Sequence, residues 1–183
     1  MSKIISFMNY KGGVGKSTSA INSSAILSYK GYNVLLCDLD PQSNTTSYYK
    51  RYDKDAKSIY DVMINNTPVS AVIKRTYFKN LDIFPATLKF SRADLELSQK
   101  PMRQEYSLTA SDYIVMPTIP DAFAVESIIS MSEWLNKIKS GVNPNLEVLG
   151  LLITIDEATN NQKEKRTKEI LPYYMFAYHV MMI

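Results

Sequence analysis

Short apolar runs alternate along the chain with longer segments in which apolar residues recur at helical spacing. Five runs have the length and composition of buried strands: Ile4–Met8, Val34–Cys37, Leu81–Phe84, Asp112–Met116 and Leu146–Ile155. The second run is continuously apolar, which predicts a parallel strand covered on both faces. Pro85 and Pro117 follow the third and fourth runs, and they predict that those strands end there.

The segments between these runs carry helical patterns with recognisable ends. Helices are predicted at Ser17–Lys30, Ser58–Ile64, Ser91–Ser98 and Asp121–Lys139, with a further turn at Val69–Ile73 and a charged helix at Asn160–Leu171. Gly31 ends the first helix, and Ser58 and Asp121 cap two others. The buried side of the longest helix is predicted to comprise Phe123, Val125, Ile128, Ile129, Met131, Trp134, Leu135 and Ile138. This alternation predicts an α/β three-layer sandwich, with a mostly parallel twisted sheet and helices on both faces.

Composition narrows the class of protein. The chain has 183 residues, 45% hydrophobic and 21% charged, which predicts one globular domain over residues 1–183. A net charge of +3 allows contact with nucleic acid without arguing for it. Cys37 has no second cysteine to pair with, so a reducing cytosol is expected. The sequence contains neither a recognisable export signal nor an apolar run long enough to span a membrane.

The stretch from Tyr10 to Thr18 follows the first predicted strand and opens the first helix. Gly12, Gly13 and Gly15 allow the backbone to approach a ligand closely, so that successive N–H groups surround phosphate oxygens. Lys16 would reach the β- and γ-phosphates of a nucleotide, and the hydroxyl of Ser17 would hold Mg²⁺. Val14 and Thr18 complete this predicted phosphate-binding loop. Tyr10 stands where the usual motif has glycine, and Lys11 adds a second lysine.

Two acids, Asp38 and Asp40, follow the second strand and precede Pro41. Ligands bind at the carboxyl ends of strands in open parallel sheets, so these acids are expected beside the glycine loop.

Several other features have a functional and a structural interpretation. The segment 43–57 carries Tyr48, Tyr49 and Tyr52 among basic residues and could stack on bases. A surface connection with half-packed tyrosines is favoured. A solvated helix face is likewise favoured over a nucleic-acid patch for the basic cluster Lys163, Lys165, Arg166 and Lys168. Trp134 is interpreted as core. His179, in the unassigned tail 173–183, is not interpreted as a metal or catalytic residue.

The motifs together resemble those of the ParA/MinD ATPases. Lys11–Thr18 is similar to the deviant Walker A motif of that family, and Asp38–Gln42 is similar to its second motif. The segment Pro117–Ser127 resembles the one after the family's third motif. Because the chain starts directly at the first strand, the short Soj type is the subgroup it resembles most.

The resemblance implies a P-loop NTPase that uses ATP/ADP and Mg²⁺ in plasmid or chromosome partitioning. Lys11 would reach the phosphates bound by the other subunit of an ATP-bound homodimer. Asp40 would position or deprotonate the attacking water, and Asp38 would support Mg²⁺ through its hydration shell. Gln42 and Ser43 would lie in the switch I loop. Non-specific DNA and a ParB-like stimulating protein are the implied partners, and the location would be cytoplasmic and nucleoid-associated. An alternative is a MinD-like membrane-associated positioning ATPase, which would need a basic amphipathic helix at the C-terminus.

The resemblance breaks near Leu108 and Thr109. In the family a helix and a strand ending in a D-x-x-P Walker B motif separate the regions that adjoin here, and the family's C-terminal part is also absent. Either the chain is a deleted, non-hydrolysing paralogue, or the printed sequence joins residues that a longer segment separates in the protein. A Cα–Cα distance near 3.8 Å between the two residues is expected for a true junction. The second explanation is favoured, because loss of a central strand would expose apolar surface.

Overall fold

The computed structural model describes residues 2–97, 108–120 and 124–154. In chain order the elements are β1 (Ile5–Phe7), α1 (Lys16–Tyr29), β2 (Val34–Cys37), α2 (Asn44–Tyr48), α3 (Ile59–Asn65), a 3₁₀ helix (Val69–Ala71), β3 (Lys74–Arg75), β4 (Leu81–Phe84), α4 (Phe90–Leu97), β5 (Tyr113–Thr118), α5 (Ala124–Gly141) and β6 (Glu147–Ile153). The alternation confirms the predicted α/β class. The chain forms two compact units, residues 1–19 with 104–183 and residues 20–103. Within the described ranges, no helix is long and apolar enough to cross a membrane.

The first unit contains a parallel three-stranded sheet in the order β1-β5-β6. Helix α5 packs on this sheet through the residues Ala124, Ile128, Met131, Leu135 and Ile138, which recur at intervals of three to four positions. Met131, Leu135 and Ile138 meet Ile114 and Met116 of β5, and Leu146 just before β6, in one buried cluster. Ala124 and Ile128 form a second cluster, against which Leu151 of β6 packs. The sheet therefore holds the end of β1, from which the glycine loop departs.

The second unit contains the order β2-β4-β3, in which β2 and β4 are parallel and β3 is antiparallel to β4. One buried cluster joins Ile21 of α1 to Leu36 and Ile83 of the sheet. A second cluster packs Phe84 against Ile59 of α3, with Phe90 of α4. Helices α1 and α3 are thereby fixed to this sheet.

The predicted ends of two helices are confirmed by their backbone geometry. Gly31 has φ +94°, and the N–H groups of Gly31 and Tyr32 donate to the carbonyls of Ser28 and Leu27 at 3.0 and 3.1 Å. This left-handed closure favours glycine, which has no β-carbon. Ser58 begins α3, and its N–H donates to Asp61 Oδ2 at 2.9 Å, as in a capping box.

The sequence predicts a single mostly parallel sheet, whereas the described strands form two three-stranded sheets. Within these ranges β1 pairs only with β5 and β2 only with β4. The prediction of a strand covered on both faces is wrong for β2, since Leu35 is 45% exposed, and β1 is not fully buried either, since Ile5 is 39% exposed. Leu108 begins a short helical turn in which Ser111 N–H donates to Leu108 O at 3.2 Å.

Three local predictions need correction. Pro117 does not end its strand but lies within β5, because its nitrogen faces the β1 side, where β1 pairs no further than Val115. Segment 43–57 is not simply a surface connection, since it contains α2 and Tyr49 is only 1% exposed. Ile129 lies on the exposed side of α5. The predictions for Asp121, Phe123, the basic cluster at 163–168 and the tail 173–183 lie outside the described residues.

Candidate functional site

The glycine loop belongs to the first unit and starts at a buried asparagine. Asn9 Nδ2 donates to the carbonyl of Pro117 at 2.8 Å, at the end of β5. Asn9 Oδ1 accepts from the backbone N–H of Lys11 at 2.9 Å and from the hydroxyl of Ser127 at 3.0 Å. One side chain thus ties the beginning of the loop to β5 and to α5. Sequence reasoning missed Asn9, because its partners lie 108 and 118 positions away.

The far side of the loop is anchored by Thr154, directly after β6. Its hydroxyl donates to the carbonyl of Val14 at 2.8 Å, while its N–H donates to Thr118 O at 3.0 Å. The side chain of Val14 is fully buried. The glycine loop is consequently held at both ends by the sheet of the first unit, which limits the reorganisation needed when a ligand binds.

The glycines adopt the conformations for which the sequence predicts them. Gly13 and Gly15 have φ values of +76° and +81°, a region that residues with a β-carbon rarely adopt. A β-carbon on Gly15 would also lie 3.0 Å from Cβ and Cγ2 of Thr154. A β-carbon on Gly12 or Gly13 would meet nothing within 4 Å. The first half of the loop therefore borders open space, whereas Gly15 is needed for close packing against Thr154.

Lys16 is the first residue of α1, and its side chain folds back over the loop. Its Nζ donates to the carbonyl of Lys11 at 2.8 Å. The N–H of Ser19 donates to Gly15 O at 2.8 Å, so the helical hydrogen bonds begin within the loop. The half-buried Ser17 follows on the first turn. An ammonium group and the amino end of a 14-residue helix thus concentrate positive potential at the loop.

Tyr10 occupies the position where the usual motif has glycine. Its ring centroid lies 5.7 Å from that of Trp134 on α5, with the planes tilted by 55°. Burial raises the pKa of the Tyr10 hydroxyl, although the side chain remains 49% exposed. Trp134 packs against the buried cluster of the first unit, as predicted. The ring of Tyr10 thus packs on Trp134 at the start of the glycine loop.

In the second unit, Asp38 lies at the end of β2 and is 3% exposed. Its Oδ2 accepts from the N–H and the hydroxyl of Thr46 at 2.9 and 2.6 Å, and its Oδ1 accepts from the N–H of Asp40 at 3.2 Å. Burial raises the pKa of Asp38, and the bonds from Thr46 oppose that shift. Asp38 therefore organises the turn after β2 through direct protein contacts.

Asp40 is more accessible and shapes the segment that follows. Its Oδ1 accepts from the N–H of Gln42 at 2.9 Å, and its carbonyl accepts from the N–H of Ser43 at 2.9 Å. Ser43 is fully buried with φ 54°, and α2 begins immediately after it. The second motif of the sequence is thus a folded turn with the partly exposed carboxylate of Asp40 on it.

We expect Thr46→Val to lower the free energy of unfolding by about 3 kcal/mol, because it removes the hydroxyl bond to buried Asp38 and leaves the N–H of Ala86 without its acceptor at 3.0 Å. The pKa of Asp38 is higher in the folded state than in the unfolded state. The contribution of Asp38 to stability therefore falls as pH rises from the unfolded-state pKa through the folded-state pKa. Losing the hydroxyl raises the pKa further. The destabilisation should therefore be larger at neutral pH than at mildly acidic pH in urea titrations.

Thr46→Ser is the matched control, because it keeps the hydroxyl and removes only a methyl group. It should retain most of the stability at both pH values. Equal losses in the valine and serine variants, or a loss independent of pH, would contradict a role for the hydroxyl.

The fold matches solved structures of nucleotide-binding proteins. Cobyrinic acid a,c-diamide synthase from Mycobacterium smegmatis, crystallised with ADP and magnesium, superposes with a TM-score of 0.85 at 23% identity, covering 96% of this chain and 83% of that chain. A putative plasmid partition protein from Borrelia burgdorferi bound to AMPPNP superposes with a TM-score of 0.75 at 25% identity, covering 93% and 81%. The fold and the loop together define a P-loop NTPase of the α/β class.

Sequence comparison gives the family. Residues 2–108 match a family model described as an AAA domain. The sporulation initiation inhibitor protein Soj of Bacillus subtilis is 31% identical over 204 positions, covering 95% of this chain and 81% of that protein. The chromosome partitioning protein ParA of Myxococcus xanthus is 28% identical, covering 94% and 71%. The chain belongs to the ParA/MinD-type partitioning ATPase family.

The alignment with the Bacillus protein can also be compared with the break in the family motifs predicted near Leu108 and Thr109. The alignment with the Bacillus protein spans 204 positions, whereas 95% of 183 residues is about 174, so about 30 aligned positions have no counterpart in this chain. One strand with its crossover helix needs roughly that many residues. The family model also stops matching at Leu108, where the motifs predict the break.

Proposed function

We propose that this protein is an ATP-binding and hydrolysing switch of the ParA type, acting in plasmid or chromosome partitioning. The observation that carries the proposal is the loop from Lys11 to Thr18. Gly12 and Gly13 border open space, the ammonium of Lys16 donates to the carbonyl of Lys11, and the loop leads directly into α1. Such a loop is suited to a chain of phosphates, because N–H donors, helix dipole and ammonium act on the same anion.

The residues present fit a nucleotide that carries Mg²⁺ with it. No group of three or more His, Cys, Asp or Glu side chains forms a metal cage among residues 2–97, 108–120 and 124–154. Mg²⁺ is commonly held by one or two protein ligands together with substrate phosphates and water. Ser17 would provide the direct ligand and Asp38 a contact through water, while the metal would neutralise charge on the phosphates. Lys16 and the N–H groups of the loop would bind and orient the same phosphates.

The chemical step needs a positioned water and a stabilised transition state. We assign the positioning or deprotonation of that water to Asp40, whose partly exposed carboxylate is fixed by the Gln42 N–H. Lys11 would stabilise the phosphates bound by the other subunit of a homodimer. Hydrolysis would end the ATP-bound dimer, so that the nucleotide controls assembly.

The partners proposed for the ATP-bound dimer are non-specific DNA and a ParB-like protein that stimulates hydrolysis. Relatives named for chromosome and plasmid partitioning support this assignment. The protein would then act in the cytoplasm on the nucleoid. In an assembly of the ATP-bound dimer, DNA and the ParB-like protein, ATP hydrolysis rather than simple dissociation would release the protein from DNA.

A non-hydrolysing nucleotide-binding paralogue is the second candidate, favoured by the 30 or so unmatched positions and by the two separate sheets. Binding of a fluorescent ATP analogue and release of phosphate, each measured with and without DNA, separate the two. The main proposal expects Mg²⁺-dependent binding and slow turnover that DNA and a partner increase. Binding without any turnover would favour the paralogue, and absence of binding would refute both.

A further inference from the structure

A concave surface on the second unit carries charge that the ATP site does not use. It has a volume of about 540 Å³ and is lined by Lys50, Arg51, Tyr52, Asp53, Lys74 and Arg75. We call this surface the basic cavity. Two stretches form it, the chain leaving α2 and strand β3. The sequence gives no hint that these stretches meet.

The backbone fixes the first stretch in an uncommon conformation. Lys50 has φ 54°, and the N–H groups of Lys50 and Arg51 donate to the carbonyls of Ser47 and Thr46 at 2.9 and 3.1 Å. This is the helix closure that normally takes glycine, because a residue with a β-carbon is strained in the left-handed region.

A direct hydrogen bond joins the two stretches. Arg51 Nε donates to the carbonyl of Arg75 at 2.8 Å, across 24 positions of sequence. Strand β3 is itself held by antiparallel pairing of Lys74 and Arg75 with Ile83 and Asp82. The cations of the basic cavity therefore project from anchored backbone.

Positive charge dominates this surface. Four basic side chains line it together with one acid, Asp53, whose Oδ1 accepts from the N–H of Asp55 at 3.0 Å. Asp82 lies opposite Arg75 in the strand register. In the part of the chain that the structure describes, one salt bridge within 4.0 Å is found, and it joins Lys3 and Asp112. Within that part, none of the four cations of the basic cavity forms such a pair. Their charge remains available to an external anion.

Exposed aromatic rings accompany these cations. Tyr52 lines the basic cavity and is 38% exposed. Tyr48 and Tyr77 lie close to the two stretches in sequence and are 56% and 62% exposed. Their ring centroids lie 5.1 and 5.5 Å from the ring centroid of the buried Tyr49. Basic side chains combined with exposed tyrosines suit a polynucleotide, which offers both phosphates and flat bases or sugars.

We propose that the basic cavity binds the phosphodiester backbone of DNA. This inference deepens the DNA binding proposed above and rests on that proposal for the identity of the polymer. The contact is independent of base sequence, because lysine and arginine reach phosphates rather than base edges. Its lining residues are distinct from those of the glycine loop, which lies in the first unit.

The test uses Lys50→Gly, alone and combined with Lys74→Ala. Glycine relieves the left-handed strain at position 50, so the single variant should keep or raise the melting temperature while it removes a charge. Fluorescence anisotropy with two labelled duplexes of unrelated sequence is measured over a range of salt. Each lost phosphate contact should weaken binding roughly fivefold near physiological salt and reduce the salt slope by about 0.9, equally for both duplexes.

The matched control is Lys137→Ala with Lys139→Ala, which removes two exposed charges from α5 in the other unit. Unchanged DNA affinity in the double variant, or an equal loss in the control, would overturn the inference. Binding of an ATP analogue to the wild-type protein is measured in parallel. If the proposed ATP switch is wrong, the wild-type protein will not bind the ATP analogue. If only the DNA-binding role of the basic cavity is wrong, binding of the ATP analogue will be intact.

Discussion

Lys16→Ala is expected to weaken ATP binding by up to about a hundredfold, because a charged hydrogen bond to phosphate contributes roughly 1.5–3 kcal/mol and each 1.4 kcal/mol is a factor of ten. The structure adds a second reason. Lys16 Nζ donates to the carbonyl of Lys11 at 2.8 Å, so the variant also loses a bond that holds the loop in shape. Affinity is measured by titration with a fluorescent ATP analogue in the presence of Mg²⁺.

Lys30→Ala provides the control for that experiment, since Lys30 is exposed and follows the last turn of the same helix. It removes an equal charge without touching the loop, and it should bind the analogue as the wild type does. An unchanged affinity in Lys16→Ala would refute the assignment of the glycine loop. Thermal unfolding of both variants shows whether any loss of binding reflects loss of fold.

Lys11→Ala should have a different effect: nucleotide binding stays largely intact while ATP-dependent dimerisation is lost. The backbone of Lys11 is anchored on both sides, because its N–H donates to Asn9 Oδ1 and its carbonyl accepts from Lys16 Nζ. Truncating the side chain leaves these bonds in place. The loop should therefore keep its shape, and the missing ammonium should matter only where it would stabilise phosphates across a dimer interface.

Sedimentation velocity with and without a non-hydrolysable ATP analogue measures this effect. The wild type should shift from monomer to dimer with the analogue, the variant should remain monomeric, and Lys137→Ala should behave as the wild type. A dimer in Lys11→Ala would contradict the role of this lysine in the partner's site. A loss of affinity as large as that of Lys16→Ala would assign Lys11 to binding within its own subunit instead.

Hydrolysis depends on more than these two lysines. About 30 positions of the alignment with the Bacillus relative have no counterpart in this chain, and its described strands form two sheets. Ile5 and Leu35 are exposed on β1 and β2, each of which pairs with one other strand among the described residues. Because precise positioning of water and phosphate governs turnover, we expect catalysis to be affected more strongly than nucleotide binding.

Local chemistry made much of the protein predictable. The glycine loop was found from sequence because φ values such as +81° at Gly15 demand a particular residue type at one position. The ends of α1 and α3 were predictable for the same reason, since Gly31 and Ser58 act on the backbone within a few residues. The α/β class followed from the alternation of apolar runs and helical periods.

Long-range contacts decided the rest. Asn9 and Thr154 hold the loop through partners more than a hundred positions away, and the hydroxyl of Thr46 reaches Ala86 across 40. The place of Pro117 inside β5 depends on where β1 stops pairing. The basic cavity is formed by two stretches that are 24 positions apart in sequence at the hydrogen bond between Arg51 and Arg75. The sequence by itself determined the phosphate-binding chemistry and the class of fold, because these arise from neighbouring residues. Tertiary structure alone decided how the loop is anchored and which charges converge, because such contacts join segments that no local pattern relates.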